Sequence, residues 1–215
     1  FNLIGKIQLK NVMMAMIAAK NSNVSLDKIL NVISKLKSVE GRFEKIGKIK
    51  NFSKVILDYA HTPDALKTCL LNLKEQFPNK KISLLFGCGG NRDQNKRSKM
   101  GKIANKYSDN IILTNDNPRF ENPDKIRSDI KKGIKKRKII EIPNREKAIF
   151  EAIQNLNTGD VLLVAGKGHE KTQDIGKRKI YFSDRKIIIK AIKNKNKCLS
   201  DNLKISVIKE ITKIH

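Results

Sequence analysis

Residues 110–121 read NIILTNDNPRFE. The run NIILT is mainly apolar and β-branched and predicts a strand. A polar cluster with Pro118 and Arg119 follows at once, and a new helical pattern opens at Pro123. Asp and Asn bend a chain with their own side-chain hydrogen bonds and Pro presets φ, so a surface turn accounts for TNDNPRFE taken alone. A ligand site is the other reading. It depends on whether similar clusters close other strands.

Working outward, five more apolar runs share the character of this strand: KVILDYA (54–60), KISLLFGC (81–88), KIIEIP (138–143), DVLLVAG (160–166) and KIYFSD (179–184). Between and after them, residues 63–77, 96–107, 123–136, 144–157 and 184–194 carry apolar positions at three- and four-residue spacing, which predicts helices. Two more helical patterns come first: 5–20, with Leu9, Val12, Met13, Met16 and Ile17 on one face, and 25–38, with Ser25 as N-cap. Strands apolar on both faces that alternate with helices predict an α/β fold, with an open, mostly parallel six-stranded sheet covered by helices on both faces. Ligands of such sheets bind outside the carboxyl ends of the strands.

At those ends stand DYAHTPD (58–64), GCGGNRDQNKR (87–97), TNDNPR (114–119) and AGKGHE (165–170). A His, two Arg, a Lys and several carboxylates at corresponding points of four loops favour a site over chance turn chemistry. In GCGGNRD the glycines let backbone amides approach an anion, and Arg92 offers a planar donor fork for a carboxylate. The alternative is a glycine-rich turn with a surface Arg. AGKGHE lacks the GxxxxGK[ST] spacing of an ATP phosphate loop. His61 and His169 have no metal-ligand spacing, so catalytic and structural readings stay open for both.

Composition narrows the class. The chain has 215 residues, 39% of them hydrophobic, enough for a large domain or a domain with an appendage. No run reaches the ~18 apolar residues of a membrane span, and FNLIGKIQLK lacks a signal peptide's apolar region, so a cytoplasmic location without membrane contact is expected. Cys69, Cys88 and Cys198 have neither CxxC spacing nor an even count, which argues against disulfides and structural zinc. The net charge of +25 is spread along a chain dominated by Lys, Asn and Ile. That reads as compositional bias, and the densest run, KKGIKKRK (131–138), reads as a solvated face rather than a nucleic-acid surface.

GRFE, DYAHTPDAL, LFGCGGNRD, TNDNPR and VAGKGHE, in this order, resemble the C-terminal portion of the Mur ligases from residue 1 to about residue 193. DNPR resembles the signature of the diaminopimelate-adding members. The resemblance implies a Rossmann-like C-terminal domain at 41–193 and, at 1–40, the closing helices of a central ATP-binding domain. Residues 194–215 then form an extra tail, either helical or the opening of another domain. It implies ATP-dependent amide-bond formation in peptidoglycan synthesis. ATP phosphorylates the D-glutamate side-chain carboxylate of UDP-N-acetylmuramoyl-L-alanyl-D-glutamate, and an amino group of meso-diaminopimelate attacks the acyl phosphate.

Carried over by position, Arg92, Asp116, Asn117, Arg119, Gly166 and Glu170 correspond to diaminopimelate contacts, and Arg42, Asp58 and His61 to ATP contacts. The family's GxTGKT-type phosphate loop and its Mg2+ ligands belong to a part this sequence does not contain. The chain thus resembles a fragment or truncated copy, and alone it is not expected to turn over. A monomer is expected. The competing reading is a stand-alone α/β module that kept the fold and drifted to another ligand, such as nucleic acid.

Overall fold

The structure, a computed structural model, describes residues 5–135 and 138–211. In chain order its elements are helices α1 (Gly5–Asn21) and α2 (Leu26–Ile33), strands β1 (Glu44–Ile46) and β2 (Lys54–Asp58), then α3 (Pro63–Gln76), β3 (Ile82–Phe86), α4 (Asn95–Tyr107), β4 (Asn110–Leu113), α5 (Pro123–Lys131), β5 (Ile139–Glu141), α6 (Arg145–Gln154), β6 (Val161–Ala165), β7 (Thr172–Asp174), β8 (Lys179–Tyr181) and α7 (Asp184–Ile211). Six strands form one sheet in the order β1-β2-β6-β3-β4-β5, with β2 to β5 parallel and β1 antiparallel at the edge.

The strands are apolar throughout because both faces are covered. Ile56, Leu84, Phe86, Ile111, Leu113 and Leu163 face α3, α4 and α5. Their neighbours Val55, Leu57, Leu85, Ile112, Leu162 and Val164 face α6 and α7. The chain steps outward through β3, β4 and β5 with helices on one face. It then crosses to the other face through α6 and returns to β6, between β2 and β3. This reversal beside β6 is a topological switch point, and the strand-end loops open around it.

Caps set where the helices start behind those loops. Thr62, Asn122 and Asn144 accept hydrogen bonds from Ala65, Asp124 and Lys147 backbone N–H groups, and Pro63 and Pro123 stand in the first turns. Ser25 occupies the N-cap position of α2 but makes no side-chain capping bond.

Two expectations are corrected by the structure. The sixth strand of the sheet is β1, from the GRFEKIGKI stretch, and KIYFSD supplies β8 of a separate two-stranded hairpin with β7. All three residues of β8 are exposed, and the tight turn in which Ile175 N–H donates to the Arg178 carbonyl gives them a local partner. Helix α2 stops at Ile33 and α5 at Lys131, short of the predicted 38 and 136. Lys136 and Arg137 of the basic run lie outside the described residues. Helix α7 continues to Ile211, so the part of the extra tail that is described is helical, while 212–215 lie outside the described residues. Among the described residues no helix is long and apolar enough to cross a membrane.

Candidate functional site

The turn after β4 is held in a conformation that few residues adopt. Arg119 has φ +49°, in the left-handed region where a non-glycine residue is strained. Its N–H donates to the Asp174 carbonyl (3.1 Å), and its guanidinium donates through Nη1 to the Gly90 carbonyl (2.8 Å). Gly90 N–H in turn donates to the Asn117 carbonyl (2.9 Å). A Cβ on Gly90 would lie 2.0 Å from the Pro118 carbonyl oxygen, so the loops after β3 and β4 approach this closely only with glycine there. Arg92, on the same β3 loop, is exposed and has no hydrogen-bond or ion-pair partner among the described residues.

The GKGHE loop after β6 supplies opposite charge. Lys167, fully buried, donates to Asn117 Oδ1 (2.9 Å) and Glu170 Oε2 (2.8 Å), and Asn117 Nδ2 donates to the same Glu170 oxygen (3.0 Å). Burial works against the charged form of Glu170, but the Lys167 and Asn117 hydrogen bonds and the Lys167 and Arg145 charges outweigh it. The carboxyl is therefore held below the usual glutamate range. Gly166 has φ +113°, and a Cβ there would meet Asp116 Oδ2 at 2.8 Å, so this glycine lets the two loops touch. Arg92, Asp116, Asn117, Arg119, Gly166 and Glu170 thus stand on three neighbouring loops at one sheet edge.

Beneath them lies a charge the sequence reading did not single out. Arg145, at the start of α6, is fully buried and binds Asp184 of α7 in a fork (Nε–Oδ1 2.8 Å, Nη2–Oδ2 2.7 Å), with a further bond to the Ala165 carbonyl (3.0 Å). Its Nη1 makes no hydrogen bond and sits 4.0 Å from Asp116 Oδ2. Burial alone would weaken this guanidinium's hold on its proton, but the Asp184 charge and hydrogen bonds, together with the Asp116 and Glu170 charges, more than compensate. Arg97 of α4, also fully buried, ties Glu121 (2.7 Å) to Asp129 (3.2 Å) and braces the far side of the 114–122 loop.

Arg42, Asp58 and His61 gather on the adjoining side, around Tyr59. The Arg42 guanidinium lies over the Tyr59 ring (4.5 Å to the centroid), with His61 edge-on (4.6 Å) and His169 tilted against it (5.2 Å). Asp58 is the last residue of β2 and nearly buried. Its carboxylate accepts from Phe43 N–H (2.7 Å), Ala60 N–H (2.7 Å) and the Cys69 thiol (3.3 Å), so it holds the GRF turn against the strand end. Cys88 offers no nucleophile, because burial pushes its thiol up to about 12 against the pull of Lys96.

With this geometry in view, comparison with known proteins gives a family. The model of the Mur ligase glutamate ligase domain matches residues 41–168. The chain belongs to the Mur ligase family. It is 43% identical over 197 residues to the UDP-N-acetylmuramoyl-L-alanyl-D-glutamate–2,6-diaminopimelate ligase of Rickettsia felis, covering 91% of the chain and 36% of that protein. Against the ligase of the same name from Buchnera aphidicola subsp. Baizongia pistaciae it is 48% identical over 195 residues, covering 90% of the chain and 38% of that protein. A solved structure of a UDP-N-acetylmuramoyl-L-alanyl-D-glutamate–2,6-diaminopimelate ligase superposes with a TM-score of 0.71 at 36% identity, over 89% of the chain and 39% of its own. The chain therefore spans under two fifths of the length of these relatives. None of them supports the reading of a drifted nucleic-acid module.

For this Mur ligase chain, the charged residues the motifs pick out are those that reach the strand-end loops. Lys167, Arg145, Asp184 and Asp174 were passed over. Lys167 lies inside the quoted AGKGHE, and a single Lys between two glycines at a strand end is the signal that was available. Arg145 and Asp184 are the first residues of α6 and α7, where a charged side chain reads as ordinary helix surface.

Proposed function

We propose that this chain is the part of an ATP-dependent ligase that holds meso-diaminopimelate while one of its amino groups is joined to the D-glutamate carboxyl of UDP-N-acetylmuramoyl-L-alanyl-D-glutamate, in peptidoglycan synthesis. The observation that carries it is the meeting of two cationic forks, Arg92 and Arg119, with two carboxylates, Asp116 and Glu170, on loops that touch one another. A substrate with two carboxylates and two ammonium groups needs both signs within one pocket. Arg119 receives the distal carboxylate, Arg92 supports it from the β3 loop, and Asp116 and Glu170 accept from ammonium. Asn117 spends its side-chain oxygen on Lys167 and the Asp174 N–H, so it orients Glu170 and the turn.

On the other side, Arg42, Tyr59 and His61 form a flat cationic and aromatic wall for the base and ribose of ATP, and Asp58 positions Arg42 through the Phe43 N–H. ATP gives its γ-phosphoryl group to the glutamate carboxylate, releasing ADP. The amine, having lost a proton, then forms the C–N bond as the C–O bond to phosphate breaks. Among the described residues no group of three or more His, Cys, Asp and Glu side chains could hold a metal ion, and the Mg2+ ligands would belong mainly to the central domain. Residues 1–40 would be the closing helices of a central domain, 41–193 the amino-acid-binding domain and 194–215 an extra tail, into which α7 runs as far as Ile211. The whole enzyme would work as a cytoplasmic monomer.

The test is amide-forming rate against amino-acid concentration, with this chain joined to the remaining length its relatives have. A kcat/KM for meso-diaminopimelate at least ~10-fold above that for lysine is expected, the worth of one charge-assisted contact. Equal use of the two, or a preference for lysine, would rule the reading out.

A further inference from the structure

The hairpin β7–β8 touches the DNPR turn through the last residue of its first strand. Asp174, the last residue of β7, meets the DNPR turn at three points: its N–H donates to Asn117 Oδ1 (3.0 Å), its carbonyl accepts from Arg119 N–H (3.1 Å), and its carboxylate Oδ2 stands 3.7 Å from Arg119 Nε. The other carboxylate oxygen accepts from Gly176 N–H (3.2 Å), which fixes the carboxylate to the hairpin turn. The first two contacts are backbone geometry. The third is a charge pair, and its length matters, because 3.7 Å exceeds a hydrogen bond. Nη1 is taken by the Gly90 carbonyl, so Nη2 keeps its donors. Both side chains remain about a fifth exposed, at 23% for Arg119 and 22% for Asp174.

We propose that Asp174 is a resident counter-ion for Arg119 that sets how strictly the site demands a distal carboxylate. The inference rests on the reading that Arg119 receives that carboxylate. Two consequences follow from Coulomb attraction and repulsion at this distance. An amino acid without a distal carboxylate leaves Arg119 partly neutralised by Asp174, which lowers the penalty that an unpaired guanidinium would impose. A ligand that does carry the carboxylate must bring it in beside a fixed negative charge, which weakens its hold. Asp174 therefore relaxes selectivity from both directions. The pair is partly solvated, so each effect is modest, on the scale of an exposed ion pair.

Asp174→Asn keeps the shape and both backbone contacts and removes only the charge. In the complete ligase, KM for meso-diaminopimelate is expected to fall about two- to fivefold, the use of lysine to drop, and the preference between them to widen about three- to tenfold, with kcat for meso-diaminopimelate nearly unchanged. Asp174→Glu, which restores the charge on a longer arm, should move the preference back toward the parent. A merely structural Asp174 would instead give Asn and Glu variants that lose or keep both substrates together. A rise in KM for meso-diaminopimelate in the Asn variant, or an unchanged preference, overturns the proposal. A parent that does not prefer meso-diaminopimelate removes its premise, and that result is read before any variant is made.

Discussion

Lys167 is fully buried, and its ammonium reaches two acceptors, Asn117 and Glu170, so one cation keeps a half-buried carboxylate ionised at the ligand edge. The sign of the pH effect follows. Because Glu170 is held below the usual glutamate range in the fold, its contribution to stability is complete above the unfolded-state value and is lost as pH falls through the lower folded value. In Lys167→Met, burial loses its main opponent and the Glu170 midpoint should move up. Titration of the Glu170 carboxyl carbon by NMR, in the parent chain and the variant, measures both. A parent midpoint at or above the ordinary range, or no rise in the variant, would contradict the assignment of the charge to Lys167. Arg145 and Asp184, with no exposure at all, are a different case. Removing one of such a pair typically costs about 3 to 5 kcal/mol, because the partner is left charged in the interior.

At the scale of elements, the site is built from loops that must touch, and glycine makes that possible. Gly90→Ala would place a methyl group 2.0 Å from the Pro118 carbonyl and push the β3 and β4 loops apart. Overpacking of this kind costs about 1 to 3 kcal/mol, or roughly 2 to 12 °C in Tm for a chain of this size. It should also raise KM for meso-diaminopimelate, since the Gly90 carbonyl orients Arg119. Thermal unfolding and steady-state kinetics check the two effects, and an alanine variant unchanged in both would mean that the loops do not need their observed spacing. The parallel strands were legible because Val55–Leu57, Leu84–Phe86 and Leu162–Val164 are apolar at every position, a pattern that only a sheet covered on both faces stabilises. β1 escaped notice since Glu44–Ile46 gives three residues with one exposed lysine, too short for periodicity to register. β8 looked like a sheet strand because Ile180 and Tyr181 are good strand residues, yet composition does not say which partner a strand will take. Asp174 was invisible for the same reason. Its importance comes from the hairpin's placement over the DNPR turn, 57 residues away in sequence at the Asn117 contact.

The whole molecule brings two sides together at one sheet edge. An aromatic and cationic wall around Tyr59 stands by the end of β2, and the charged pocket lies beyond β6 and β3, with the GKGHE loop contributing to both through His169 and Glu170. On the proposed reading, a nucleotide and an amino acid approach the same reacting carboxyl while each is recognised by separate side chains. Separate recognition means that damage to one side should leave the other intact. Arg119 is the point where this is cleanest, because among the described residues its guanidinium has its hydrogen bond and its ion pair with Gly90 and Asp174, on the DNPR side. The most direct measurement is the kinetics of Arg119→Ala, with this chain joined to the remaining length of its relatives, varying meso-diaminopimelate and ATP in turn. Loss of a charge-assisted fork costs about 1.5 to 3 kcal/mol, so KM for meso-diaminopimelate should rise roughly 10- to 100-fold while KM for ATP stays within about twofold. Unchanged use of meso-diaminopimelate, or a matching loss for ATP, would contradict the account.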